Sequence, residues 1–132
     1  MVVESVVVPE VDVLAGKPTS VRVSWRIAKG TGVNEEAPFR VRWTTSEGLA
    51  EAPADLKGSG VDAQRGFDVA VTPTKGAVRA HLVGRVEIVV CDAATHKVCL
   101  PVRRNIDMSF RVGADAKPKV EVFVALPEAH AS

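Results

Sequence analysis

Hydrophobic and polar positions alternate along most of this chain with the two-residue period of half-buried β-strands. The clearest run is Thr19 to Ala28, where Val21, Val23, Trp25 and Ile27 share one face and Arg22, Ser24 and Arg26 the other. Phe39, Val41 and Trp43 repeat the pattern against Arg40, Arg42 and Thr44, which predicts that the two tryptophans share a core. Further strands are predicted over Val2 to Val8, where Pro9 ends the run, over Phe67 to Val71, and over Ala77 to Val83. Gly84 is expected to divide that last strand from Val86, Ile88 and Val90. Val98, Leu100 and Val102 resume the alternation. Ile106, Met108, Phe110 and Val112 then oppose Asp107, Ser109 and Arg111, and Lys119 to Leu126 forms a final strand.

Ala15-Gly16-Lys17-Pro18, Thr74-Lys75-Gly76 and Gly113 to Pro118 read as turns, and Lys29 to Pro38 as a longer loop. Ser46 to Gly66 carries no periodicity, only scattered glycines among small and charged residues, with one helical turn expected over Ala50 to Leu56. PEAHAS at the end reads as a frayed terminus. About seven to nine short strands and no long helix predict an all-β fold built as a two-sheet sandwich. No repeat or linker divides the chain, so residues 1–132 are read as a single domain.

Composition supports that picture, since valine is abundant and glycine and proline recur between the runs. The formal net charge is +1 with cations and anions interspersed, so no basic face for nucleic acid or anionic lipid is visible in the sequence. No apolar run approaches the roughly 20 residues that cross a bilayer, and no basic leader follows Met1. The chain reads either as cytoplasmic or as the part that follows a removed signal or anchor.

The two cysteines change the picture most. In RVEIVVCDAATHKVCLP, Arg85 to Pro101, they stand at the inner ends of two predicted strands with seven residues between them. Antiparallel pairing would bring them to the roughly 3.5–4.5 Å between Cβ atoms that a disulfide requires. A structural staple and a redox-active dithiol both fit, because the loop carries Asp92, Thr95, His96 and Lys97 and is polar enough to be exposed. A zinc site using Cys91, His96 and Cys99, completed by Asp92, His81 or His130, matches no usual ligand spacing. No Gly-x-Ser-x-Gly elbow or paired carboxylates point to a hydrolase. GTGVN, Gly30 to Asn34, has too few glycines for a dinucleotide loop.

Three stretches taken together resemble the N-terminal periplasmic domain of DsbD-type thiol:disulfide interchange proteins: Gly16 to Pro38, Val41 to Leu49, and Val86 to Val102. The resemblance implies an immunoglobulin-like sandwich outside the cytoplasm, with no cofactor. It would take electrons from a thioredoxin-like domain or protein, supplied by a membrane electron-carrier domain, and pass them to oxidised substrate proteins. Cys99 matches the cysteine that forms the mixed disulfide and Cys91 the resolving one. Phe67 and the Ser46 to Gly66 segment fall where the family carries a cap, and Asp62, Asp68 and His96 are candidate modulators. The chain departs from the family in its longer cysteine spacing, in Val90 where an aromatic is common, and in having no tyrosine. The competing reading is a non-catalytic, protein-binding sandwich whose disulfide is structural.

Overall fold

The computed structural model describes residues 4–95, 97–113 and 115–127. Ten strands and one short helix follow in order: β1 Glu4–Val7, β2 Val11–Leu14, β3 Thr19–Arg26, β4 Thr31–Val33, β5 Pro38–Glu47, β6 Leu56–Ser59, α1 Gly60–Ala63, β7 Phe67–Val71, β8 Arg79–Asp92, β9 Cys99–Gly113 and β10 Lys119–Ala125. They form an all-β sandwich. The larger sheet runs β1-β9-β8-β5-β6, with β2 also on β9 and β4 also on β8, and the smaller runs β10-β3-β7.

The alternation of valines and polar residues fixes which face each strand buries. Val21, Val23, Val69 and Val71 of the smaller sheet meet Val41, Val86, Ile88, Ile106 and Phe110 of the larger one in a single core cluster. At its edge, the Phe67 ring lies 5.8 Å from Trp25, 5.9 Å from Phe39 and 6.4 Å from Trp43 between centroids. The shared tryptophan core expected from the sequence is present. Each indole N–H also finds a main-chain acceptor: Trp25 Nε1 donates to Ala63 O (2.6 Å) and Trp43 Nε1 to Ala54 O (3.0 Å).

Several boundaries differ from the sequence expectation. Gly84 does not divide two strands; β8 runs through it without a break. The Trp43 ring lies across this position, and a Cβ here would stand 2.6 Å from its Cζ3, so the glycine makes room for an aromatic ring instead of ending a strand. A register shift between Trp43 and Thr45 on β5 adjoins this position. β9 runs as one strand from Cys99 to Gly113 through Arg103 and Arg104.

Ser46 to Gly66 is not wholly irregular either. It contributes the end of β5, then β6 and α1, and the helical turn lies at Gly60–Ala63, not at Ala50 to Leu56. Asp55 accepts the Trp43 backbone N–H (3.0 Å), and Asp62 Oδ2 accepts the Ser59 backbone N–H (3.0 Å), so side chains fix this segment where periodicity is lacking. Short strands also stand where none was expected, β2 in the unassigned stretch before Ala15 and β4 inside the Lys29 to Pro38 loop. Pro9 lies between β1 and β2, both of which run parallel to β9. No helix among the described residues is long and apolar enough to cross a membrane.

Candidate redox site at the hairpin tip

β8 and β9 form one long hairpin, in register from Arg79↔Arg111 to Cys91↔Cys99, and the two cysteines are bridged. Asp92 N donates to Val98 O (2.9 Å), which makes Cys91/Cys99 a non-hydrogen-bonded pair, the position where side chains of opposed strands approach most closely. Their Cα atoms are 4.0 Å apart. The same alternation turns the nitrogen of Pro101 away from β8, so its missing N–H costs the hairpin no bond.

Asp92, only 7 % exposed, organises the connecting loop. Its Oδ1 accepts the Ala94 N–H (3.0 Å), its Oδ2 accepts the Thr95 hydroxyl (2.6 Å), and Thr95 Oγ1 accepts the Lys97 N–H (3.2 Å). Ala93 N donates to Gly30 O (2.8 Å), which ties the loop to the turn before β4. The tip is thus held by backbone and side-chain bonds as well as by sulfur.

The two cysteine residues differ in exposure. Cys99 is exposed, whereas Cys91 is 3 % exposed. A cleft of about 660 Å³ opens beside Cys91, and its lining includes Asn34, Glu35, Glu36 and Gln64. Sequence reading missed these residues and took Asn34 to Glu36 as mere loop. The available signal was Asn34 itself, whose Oδ1 accepts the N–H groups of Glu36 (2.9 Å) and Ala37 (3.2 Å) in a side-chain-closed turn. Gly60 packs so closely on the Asn34 carbonyl that no Cβ would fit, and this contact sets α1, and with it Gln64, at the cleft wall.

Phe67 is buried in the aromatic cluster between the sheets, and its ring partners are Trp25, Phe39 and Trp43. Asp68 is exposed on the smaller sheet and pairs with Arg22 (3.2 Å). Asp62 accepts the backbone N–H and the hydroxyl of Ser59 at the start of α1. His96 and His130 lie outside the described residues. His81 stands ten residues down β8 from Cys91, about 30 Å at ~3.3 Å per residue. Its Nε2 lies 2.7 Å from Asp107 Oδ1. Strand length therefore keeps His81 from completing a ligand set with the cysteines, whose sulfurs are joined to each other. Among the described residues no three histidine, cysteine or carboxylate groups come together as a metal site.

A bridged cysteine pair is the form such residues take in oxidising, extracytoplasmic compartments. Compared with protein-family models and with curated proteins, the chain matches none.

Proposed function

We propose that this domain is a periplasmic thiol:disulfide interchange module that passes electrons from a thioredoxin-like donor to oxidised substrate proteins through Cys91 and Cys99. The observation that carries the reading is the unequal exposure of the two cysteine residues. Cys99 is open to solvent at the hairpin tip and Cys91 is covered, so a partner's thiolate can reach one sulfur and displace the other. The resemblance of Val86 to Val102 to the cysteine block of DsbD-type N-terminal domains supports the same assignment.

The steps balance without a cofactor. A donor thiolate attacks Cys99 Sγ, the bridge breaks, and Cys91 leaves as a thiolate that takes up a proton. The donor's second thiol then displaces Cys99, so the donor is oxidised to a disulfide and the domain gains two electrons and two protons. In the second half-cycle the Cys99 thiolate attacks an oxidised substrate disulfide. Cys91 next attacks Cys99, releases the reduced substrate and restores the bridge.

The test is trapping. In Cys91→Ala the resolving step is lost, so the Cys99 thiolate, on attacking the disulfide of an oxidised substrate protein, should accumulate as a mixed disulfide with it on non-reducing electrophoresis. Cys99→Ala should trap little or none. Absence of the adduct in Cys91→Ala would refute the relay.

One observation favours a second reading, a protein-binding sandwich with a structural staple: the bridge joins two residues that register already pairs. A staple of that kind resists reduction in the folded state, which separates the readings.

A further inference from the structure

The register of the larger sheet gathers charge that the sequence scatters. Lys57, Arg40, Glu87 and Arg103 lie side by side across β6, β5, β8 and β9. Arg42, Arg85 and Asn105 form the next row. These residues project from the outer face, because the positions that alternate with them, Val41, Val86, Ile88, Val102 and Ile106, are buried in the core. Five cations and one carboxylate thus occupy these two rows of a chain whose formal net charge is +1, while Asp107, Glu47 and Asp12 lie farther from the disulfide on the same face. The carboxylate of these rows, Glu87, lies 3.7 Å from Arg103 Nε. Arg42 stands directly opposite Arg85, a like-charge pairing that destabilises a sheet unless an anion answers it.

This basic face is continuous with the redox pair. Above the Glu87–Arg103 row come Val89 and Pro101, then Cys91 and Cys99, all at positions of the same parity. Four residues of strand separate that row from the disulfide, about 14 Å at ~3.4 Å per residue.

We propose that this face docks the redox partner, and that the partner is a protein with an acidic patch about 14–20 Å from its reacting cysteine. The inference rests on the relay reading given above. A small apolar row bordered by arginines suits a protein interface, where arginine is enriched. Glu87, set among the cations, and the half-buried Val89 break the uninterrupted positive surface that a phosphate polymer or a lipid headgroup layer would favour.

The experiment uses three peptides, each with one cysteine, a four-residue neutral spacer of about 13 Å when extended, and a tail of three glutamates, three lysines or three serines. Each is used to reduce the Cys91–Cys99 bridge at about 20 mM and about 500 mM salt, where screening lengths are roughly 20 and 4 Å. Comparing wild type with Arg40→Gln/Arg42→Gln/Arg85→Gln cancels the peptides' own thiol reactivity. At low salt the glutamate peptide should react about ten-fold faster than the serine peptide, and the lysine peptide slower. The advantage should vanish at high salt and in the triple variant, and should fall likewise in the independent variant Lys57→Gln/Arg103→Gln.

If the serine peptide reduces the bridge and the glutamate peptide is no faster, the docking inference is overturned and the relay survives. If no peptide reduces the bridge, the relay itself fails. A cysteine-free glutamate peptide, duplex DNA and anionic phosphatidylglycerol vesicles complete the test. Charge-dependent binding of the duplex or the vesicles, with none of the peptide, would also overturn the inference.

Discussion

Reducing the Cys91–Cys99 bridge is expected to loosen the hairpin tip without unfolding the domain. The cysteines are eight positions apart, and closing so short a loop removes unfolded-state entropy worth about 2.5 kcal/mol in the chain-entropy treatment. For a chain of 132 residues, with about 2.1 cal/mol/K of unfolding entropy per residue, that corresponds to a fall in Tm of roughly 9 °C. The rest of the hairpin does not depend on sulfur. Its register continues to Arg79↔Arg111, and Leu82, Val86, Ile88, Ile106, Met108 and Phe110 are almost wholly buried beneath it. Thermal unfolding followed by circular dichroism, with and without a thiol reductant and in Cys91→Ala/Cys99→Ala, measures the difference. A cooperative transition lowered by about 9 °C supports the account. A reduced domain that is unfolded at room temperature would refute it, since a relay must remain folded in both of its redox states.

Three further outcomes follow from particular contacts. In the reduced domain, iodoacetamide should modify the exposed Cys99 well before the buried Cys91, as read by peptide mass mapping; equal rates would remove the basis for assigning their roles. Gly84→Ala should displace the Trp43 ring and cost about 1–3 kcal/mol, seen as a lower denaturant midpoint and altered tryptophan fluorescence. Asp62→Ala should cost about 1 kcal/mol by removing the acceptor for the Ser59 N–H, with thiol exchange unchanged if Asp62 serves only α1.

The sequence shows the strands best where burial alternates strictly. Val21 to Trp25, Phe39 to Trp43 and Ile106 to Val112 all have their predicted faces, and the two cysteines meet because the runs on either side of their loop pair as the pattern requires. It misleads at Gly84, whose role depends on a ring contributed by Trp43 from β5 and so on tertiary contact. It misses β6 and α1 because Asp55, Asp62 and main-chain pairing shape them, none of which leaves a hydrophobic period. The basic face was hidden for a related reason. Arg40, Arg42, Lys57, Arg85 and Arg103 come from four strands, and only register sets them side by side. The cleft beside Cys91 likewise joins Asn34 to Glu36 with Gln64, segments separated by two strands and a helix.

The central claim is that Cys91 and Cys99 exchange electrons with other proteins, and the most direct measurement of it is the reduction potential of their bridge in the folded domain. Equilibration with thiol–disulfide buffers followed by acid trapping and mass spectrometry gives that value. The account predicts a potential above about −300 mV, within reach of a thioredoxin-like donor. A potential below that range, with the fold intact, would contradict it and identify the bridge as a staple.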